Sequence, residues 1–169
     1  MEPWTALFPP GKGGGEAIAY GGKGKGILIH LLTEGNGMPL SVCTTAANGD
    51  ERQQVIPLMD ALKVKTSRPG RPKKRVKVLA GYDAKWLRHS LRKRGIRGQI
   101  AKRRYKGKKT KGRPIKISVP RFQQERRFAW LQRKYRRLVV RWERLKSCFD
   151  GFLHLAIVHI WVVRLLLVG

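Results

Sequence analysis

The stretch GILIHLLTEGNGMPLSVCTTAA, residues 26–47, decides the fold. It contains two runs of apolar and β-branched residues, separated by the tripeptide Gly35-Asn36-Gly37. Such a tripeptide between two apolar runs is a strong hairpin signal. The sequence therefore predicts two antiparallel strands joined by a tight turn.

Weaker signals flank this hairpin. Glycine is too frequent over residues 11–26 for a packed helix, although residues 16–20 could form a short strand. Residues 51–63 (ERQQVIPLMDALK) have apolar side chains at helical spacing, and Asn48 or Asp50 can cap that helix. Glu2 lies in an N-terminal segment that we expect to be unanchored.

The following segments alternate between strands and helices. VKVLA (76–80) predicts a strand, AKWLRHSLRKRG (84–95) a helix ended by its glycine, and IRGQIA (96–101) a second short strand. Strands first, then strands alternating with helices, predict an α/β fold with a mixed sheet covered by helices. The 169 residues suit a single domain, 1–169.

A long helix is predicted from about Pro120, because apolar residues recur there with helical period. Its apolar stripe contains Phe128, Leu131, Tyr135 and Leu138. The opposite side carries Arg126, Arg127, Arg133, Lys134 and Arg137. We expect one face to pack on the core and the other to meet an anion.

The C-terminal segment, residues 147–169, is apolar on all sides. Residues 151–169 are borderline in length for a membrane span, and the three polar residues of that stretch, His154, His159 and Arg164, would be costly in lipid. A buried helix is therefore favoured over a membrane anchor. The residues expected to be buried, in some combination, are Leu155, Ile157, Val158, Val162 and Leu166.

The charge is the most unusual property of the chain. Thirty-eight Lys and Arg oppose ten Asp and Glu, which gives +28, and residues 63–146 alone carry +30. A small neutral substrate would not require such an excess, so it indicates a polyanionic partner, DNA or RNA.

Residues 102–118 predict a flexible basic arm, because glycine and like charge prevent packing. Its expected nucleic-acid contacts are Lys102, Arg103, Arg104, Lys108 and Lys109, with Tyr105 able to stack on a base.

Several other classes of site lack support. Cys43 and Cys148 fit no disulfide framework or zinc spacing, and the histidines form no nucleophile triad. The glycines of GKGGG (11–15) do not have the order of a nucleotide-binding loop. No secretory signal is evident, so a cytoplasmic location is predicted.

Glu125 lies at the edge of the apolar stripe, where a carboxylate needs a cation. An ion pair with Arg121 is one explanation. A metal ligand is the other, because carboxylates hold Mg²⁺ and a basic surface suits phosphodiester chemistry.

Together, several segments resemble the C-terminal catalytic part of bacterial insertion-sequence transposases of the DDE type. They are LFPPGKGGGE (7–16), GKGILIHLLTEGNGMPLSVCTTAANGDERQQVIPLMDAL (24–62), VLAGYDAKWLRHSLRKRGIRGQIAKR (78–103) and RFQQERRFAWLQRKYRRLVVRWERLKSCFDGFLHLAIVHI (121–160). The resemblance implies an RNase H-like fold in which two aspartates and a glutamate hold two Mg²⁺ ions to cut and join DNA.

Residue by residue, the resemblance is incomplete. Glu125 looks like the family glutamate, and Arg121 like its companion arginine, which is also expected to contact DNA. The second family aspartate is expected directly after Ala80 in Ala-Asp-Lys-Gly-Tyr-Asp, but here Ala80 is followed by GYD. The first is expected a few residues before FPP (8–10), in a segment with no aspartate. Asp83 is the candidate substitute ligand, with N-capping of a helix as its simpler role.

The sequence thus predicts an N-terminally truncated, transposase-like DNA-binding protein, inactive as written. One alternative is a non-catalytic basic protein that binds DNA or RNA, and another is a membrane-anchored basic protein. No small-molecule substrate is expected, and a homodimer is left open.

Overall fold

A computed structural model describes residues 2–34, 37–62, 75–78, 82–100, 128–129 and 131–167. Its strands are β1 (Glu2–Leu7), β2 (Ala19–Gly21), β3 (Gly24–Thr33), β4 (Pro39–Ala46), β5 (Arg75–Val78) and β6 (Arg97–Ile100). Its helices are α1 (Val55–Asp60), preceded by a 3-10 turn at Glu51–Gln54, α2 (Lys85–Lys93) and α3 (Lys146–Leu167). Residues 128–129 and 131–134 are also helical, and Arg136–Leu138 form a 3-10 turn.

The hairpin prediction is confirmed. β3 and β4 are antiparallel, with His30 opposite Cys43 in the middle of the pair. Glu34 donates its backbone N–H to the carbonyl of Met38 across the turn, and Gly37 has a positive φ of 88°. A left-handed conformation costs glycine little, which explains its place in this turn.

The sheet combines antiparallel and parallel pairs in the order β4-β3-β1-β5-β6, and β2 joins the first residues of β3. β1 is antiparallel to β3 but parallel to β5, with Trp4 opposite Val78. β5 and β6 are also parallel. The predicted mixed α/β sheet covered by helices is therefore confirmed.

The N-terminal segment departs from expectation. Glu2 was expected in an unanchored terminus, but it begins β1 and lies opposite Thr33 of β3. β1 joins the antiparallel half of the sheet to the parallel half, so its place depends on two partners distant in sequence.

Helices pack on both faces of the sheet, because alternate residues of a strand point to opposite sides. Leu32 belongs to a cluster with residues of α1 and α2, such as Leu58 and Leu87. Ile27 and Ile29 belong to a second cluster, with Leu131, Leu138 and residues of α3. The core therefore has two layers, separated by β3.

His30 is a buried core residue. Its Nε2 lies 2.7 Å from Oγ1 of Thr45, and burial lowers the pKa of the ring to about 4. The ring is consequently neutral at pH 7.

The predicted helix over 51–63 forms as a 3-10 turn followed by α1, and Asp50 caps it by accepting a hydrogen bond from the N–H of Arg52. α2 also forms as predicted, and Gly95, at φ 67°, ends it. Its N-cap is Ala84, so the suggested capping role of Asp83 is wrong.

The expected continuous helix from Pro120 is confirmed at residues 128–129 and 131–134, but its continuation through Leu138 is wrong. The helix ends before Tyr135, which has φ −120° and ψ 83°. The turn after it brings Arg141 beside the loop that follows β1, where its N–H donates to the carbonyl of Pro10. Tertiary contacts thus override the helical period, although Phe128, Leu131 and Leu138 are buried as expected.

The C-terminal helix α3 is packed on one side only. Phe149, Leu153, Ala156 and Ile160 are buried in the second cluster, which supports interior packing for this face. The predicted set is largely wrong, because Leu155, Val158, Val162 and Leu166 are exposed, and Ile157 is half-buried. A segment that is apolar on all sides offers no periodicity from which to choose its inner face.

By length and composition alone, residues Lys146–Leu166 could cross a membrane. Core helices of other proteins meet the same criterion, so this is weak evidence. Two polar contacts hold α3 on the sheet: Asp150 accepts a 2.6 Å hydrogen bond from Thr44, and Trp161 donates to the carbonyl of Pro39.

Two leucines of α3 provide a matched test of this packing. Leu153 is fully buried, whereas 66% of Leu155 is exposed. We expect Leu153→Ala to lower the free energy of unfolding by about 2–5 kcal/mol, because it leaves a cavity. We expect Leu155→Ala to change it by less than about 0.5 kcal/mol. Urea unfolding measures both variants, and equal losses would contradict the packing described.

Candidate functional site

The candidate site lies where the parallel strands β1, β5 and β6 end. In mixed α/β sheets, ligands bind outside the carboxyl ends of such strands. Leu7, Val78 and Ile100 are the last residues of these three strands. The chain continues from them into the glycine-rich loop over 8–16, into the segment containing Asp83, and into residue 101.

Asp83 is held at this edge by Arg88 of α2. Its Oδ1 accepts hydrogen bonds from Nε and Nη2 of Arg88, at 3.0 Å and 2.7 Å. Nη2 of Arg88 also donates to the carbonyl of Ile100, at 3.0 Å. One guanidinium therefore joins the segment after β5 to the end of β6, and it balances the negative charge of Asp83.

This contact ties Asp83 to α2. An arginine bonded to a carboxylate opposes metal binding, because the cation would have to displace the guanidinium or share its field. Sequence reasoning missed Arg88 as the partner, although Arg88 follows Asp83 by only five residues.

The glycine-rich loop is packed against the segment over 141–146. Lys12 and Gly13 donate backbone N–H groups to the carbonyl of Arg141, at 3.1 Å and 3.4 Å, and Glu16 donates to that of Arg144, at 2.8 Å. The side chain of Glu16 in turn accepts from the N–H of Lys146, the first residue of α3.

These contacts explain why glycine occupies positions 13 and 15. A Cβ at Gly13 would collide with the carbonyl oxygen of Trp142, and one at Gly15 with that of Arg144. Gly15 also has φ 98°, which side-chain-bearing residues rarely adopt. Close backbone packing, rather than phosphate binding, accounts for this motif.

Arg141 is a fully buried arginine that sequence reasoning did not single out. Its Nε donates to the carbonyl of Glu143 and its Nη2 to that of Arg144, at 2.9 Å and 3.2 Å. Its guanidinium also lies over the ring of Phe149, 5.9 Å from the centroid. The side chain therefore fixes the segment on which the glycine-rich loop packs.

The described part of the predicted anion-binding face contains three cations. Arg133 and Lys134 are exposed, as expected for a solvent-facing side. Arg137 is engaged, because its Nε lies 2.9 Å from Oε1 of Glu143 and its guanidinium covers the ring of Phe152.

The remaining predicted site residues lie outside the described residues. They are the catalytic and metal-ligand candidate Glu125, its companion Arg121, the helix cations Arg126 and Arg127, and the arm residues Lys102, Arg103, Arg104, Tyr105, Lys108 and Lys109, together with the rest of the arm over 102–118.

The described residues do not fit a two-metal site. Among them, no group of three or more His, Cys, Asp or Glu side chains could hold a metal ion. Asp83, the described acidic residue predicted as a ligand, is bonded to Arg88. The two described cysteines, Cys43 and Cys148, are free thiols, and burial raises the pKa of Cys43 to about 11.

Comparison with known proteins identifies the family. The family model described as "Transposase DDE domain" matches residues 6–161. A relative from Burkholderia cepacia, described as a putative transposase for insertion sequence element IS402, is 37% identical over 129 residues. That alignment covers 75% of this chain but 58% of the relative's length. With its RNase H-like mixed sheet and this match over most of its length, the chain belongs to the DDE transposase family of insertion sequences.

Proposed function

We propose that this chain acts in DNA transposition as a DNA-binding protein and does not itself catalyse the metal-dependent cleavage and strand transfer of its family. Family membership supports the role in transposition. The charge of +30 over residues 63–146 supports the binding of DNA, since no small molecule requires such an excess. A cytoplasmic location accords with DNA as the partner.

The pairing of β1 with β5 is the observation that carries the catalytic part of the proposal. In the family pattern, one aspartate precedes FPP (8–10) by a few residues and the other follows Ala80. Trp4 of β1 lies opposite Val78 of β5, two residues before Ala80 in the sequence, so the first position lies in a strand that pairs with the strand preceding the second. Residues 3–10 and 75–82 contain no Asp or Glu. The chain therefore offers no carboxylate where the family pattern has two.

Neither nearby acidic residue replaces them in this proposal. Glu2 is at the start of β1, opposite Thr33, away from the carboxyl ends of the parallel strands. Asp83 is already bonded to Arg88. Glu125 is then the single family carboxylate in the sequence, and two-metal phosphoryl transfer requires several that converge. We therefore propose that the Mg²⁺ pair implied by the family is not held by this chain.

The two alternative functions differ from this proposal in measurable ways. A general basic protein would bind RNA and DNA equally, without preference for insertion-sequence DNA. A membrane-anchored protein would use the exposed side of α3, and its partition into liposomes would be lost with residues 151–169.

The binding of DNA should depend steeply on salt. A protein that contacts six to ten phosphates loses roughly 10³–10⁵ in affinity between 50 and 200 mM salt, because binding releases counterions. Fluorescence anisotropy with a labelled insertion-sequence end and a scrambled duplex measures this dependence. Affinity that does not change with salt would contradict the proposal.

The chain should not nick or join DNA in the presence of Mg²⁺. Glu125→Gln should therefore leave the background unchanged in a plasmid-nicking assay. Insertion of Asp-Lys between Ala80 and Gly81, combined with Trp4→Asp, supplies a carboxylate at each of the two family positions and should produce cleavage that Glu125→Gln then abolishes. Cleavage by the unmodified chain, lost in Glu125→Gln, would show that the proposal is wrong.

The pair Asp83–Arg88 should stabilise the fold. Its side chains are 23% and 22% exposed, so a double-mutant cycle with Asp83→Asn and Arg88→Gln should give a coupling energy of about 1 kcal/mol. Asp60–Arg94 is a matched control, because its side chains are 56% and 39% exposed and should couple by less than about 0.5 kcal/mol. Unchanged stability with loss of Mg²⁺ binding in Asp83→Asn would identify a metal ligand instead.

A further inference from the structure

α2 presents a basic face whose residues the sequence analysis did not name among the nucleic-acid contacts. Its buried residues, Leu87 and Leu91, lie on the side that packs against the sheet. At about 100° per residue, the exposed residues occupy a sector of about 120° on the other side. They are Lys85, Trp86, His89, Arg92 and Lys93.

Two arginines beside this face form ion pairs with aspartates, whereas the cations of the face itself form none with the residues that the structure describes. Arg88 and Arg94 are engaged by Asp83 and Asp60. For Lys85, Arg92 and Lys93, the described part of the chain provides no acidic partner within ion-pair distance. Three like charges within two and a half turns repel one another, which favours an anion shared among them.

Trp86 provides an independent indication that the face meets a partner. Its side chain lies outside the core, and 43% of the residue is exposed. An indole is costly to leave in water, and Trp and Arg are the residues enriched in binding interfaces. Trp86 borders Lys93 on the helix surface, so the exposed apolar area and the charge belong to one surface.

We infer that this α2 face, defined by Lys85, Trp86, Arg92 and Lys93, binds the phosphate backbone of duplex DNA. The inference rests on the proposed function and adds a second contact surface to it. Point cations on one helix face suit phosphates, which position a protein on DNA without reading its sequence. The contact should therefore contribute equally to insertion-sequence ends and unrelated duplexes.

The chain offers a matched pair of variants for the test. Lys85→Ala/Lys93→Ala removes two exposed charges from α2, and Lys23→Ala/Lys25→Ala removes two exposed charges from the β2–β3 turn region. We expect the α2 variant to reduce the slope of log affinity against log salt by roughly two, since each phosphate contact contributes about 0.9. The control should change this slope by less than one half. Circular dichroism melts establish that both variants are folded.

Lysine acetylation of the unmodified chain gives a direct second readout. Saturating duplex DNA should protect Lys85 and Lys93 several-fold, as measured by mass spectrometry, and should leave Lys23 and Lys25 reactive. If the chain binds duplex DNA while Lys85 and Lys93 stay reactive and the slope is unchanged, the α2 inference is overturned and the proposed function stands. If the chain does not bind DNA at 50 mM salt, both fail.

Discussion

The burial of β3 on both faces is the constraint on which the rest of the structure depends. Every residue from Gly26 to Thr33 is buried. Ile27 and Ile29 pack in one core layer and Leu32 packs in the other. A shift of β3 by one residue relative to its neighbouring strands would place each of these side chains in the wrong layer. The register of β1 and β4 on β3 is therefore strongly specified, and with it the position of every element that leads to the candidate site.

The glycine-rich loop transmits this constraint to the C-terminal part of the chain. It begins at the end of β1, and its backbone hydrogen bonds to Arg141 and Arg144 leave no space for side chains at Gly13 or Gly15. The buried guanidinium of Arg141 donates to two carbonyls of that same segment. Neutral carbonyls compensate a buried charge only partly, so Arg141 needs this segment to keep its conformation. The glycine-rich loop needs the same segment, because its backbone hydrogen bonds end there. A mobile phosphate-binding loop would not require such a close fit.

Local signals were sufficient for the elements whose partners are near in sequence. The β3–β4 hairpin, the cap at Asp50 and the end of α2 at Gly95 follow from turn and cap chemistry over a few residues. β1 was not predicted, because six residues at a terminus carry too little alternation and their partners in β3 and β5 are 22–31 and 74 residues away. The end of the helix before Tyr135 was not predicted either, since contacts with the loop after β1 decide it.

The site was less predictable than the fold. The sequence singled out Asp83 by its place after a strand, but what this carboxylate does depends on the orientation of Arg88, which spacing alone does not fix. The inner face of α3 depends on shape: Leu153 and Leu155 are the same residue type, two positions apart, and only Leu153 meets the core. Hydrophobicity cannot distinguish between them.

The excess of cations also opposes the formation of a metal site. Five described carboxylates form ion pairs with Lys or Arg: Asp50, Asp60, Asp83, Glu143 and Asp150. With thirty-eight cations and ten acidic residues in the chain, each carboxylate has many more cations than other carboxylates as possible partners. A two-metal site requires the opposite, a local concentration of negative charge that outweighs its surroundings. A chain that combines both properties needs acidic residues at the metal positions, and residues 3–10 and 75–82 of this one contain none. This arrangement accords with the proposed function, in which the chain binds DNA and does not hold the metal pair of its family.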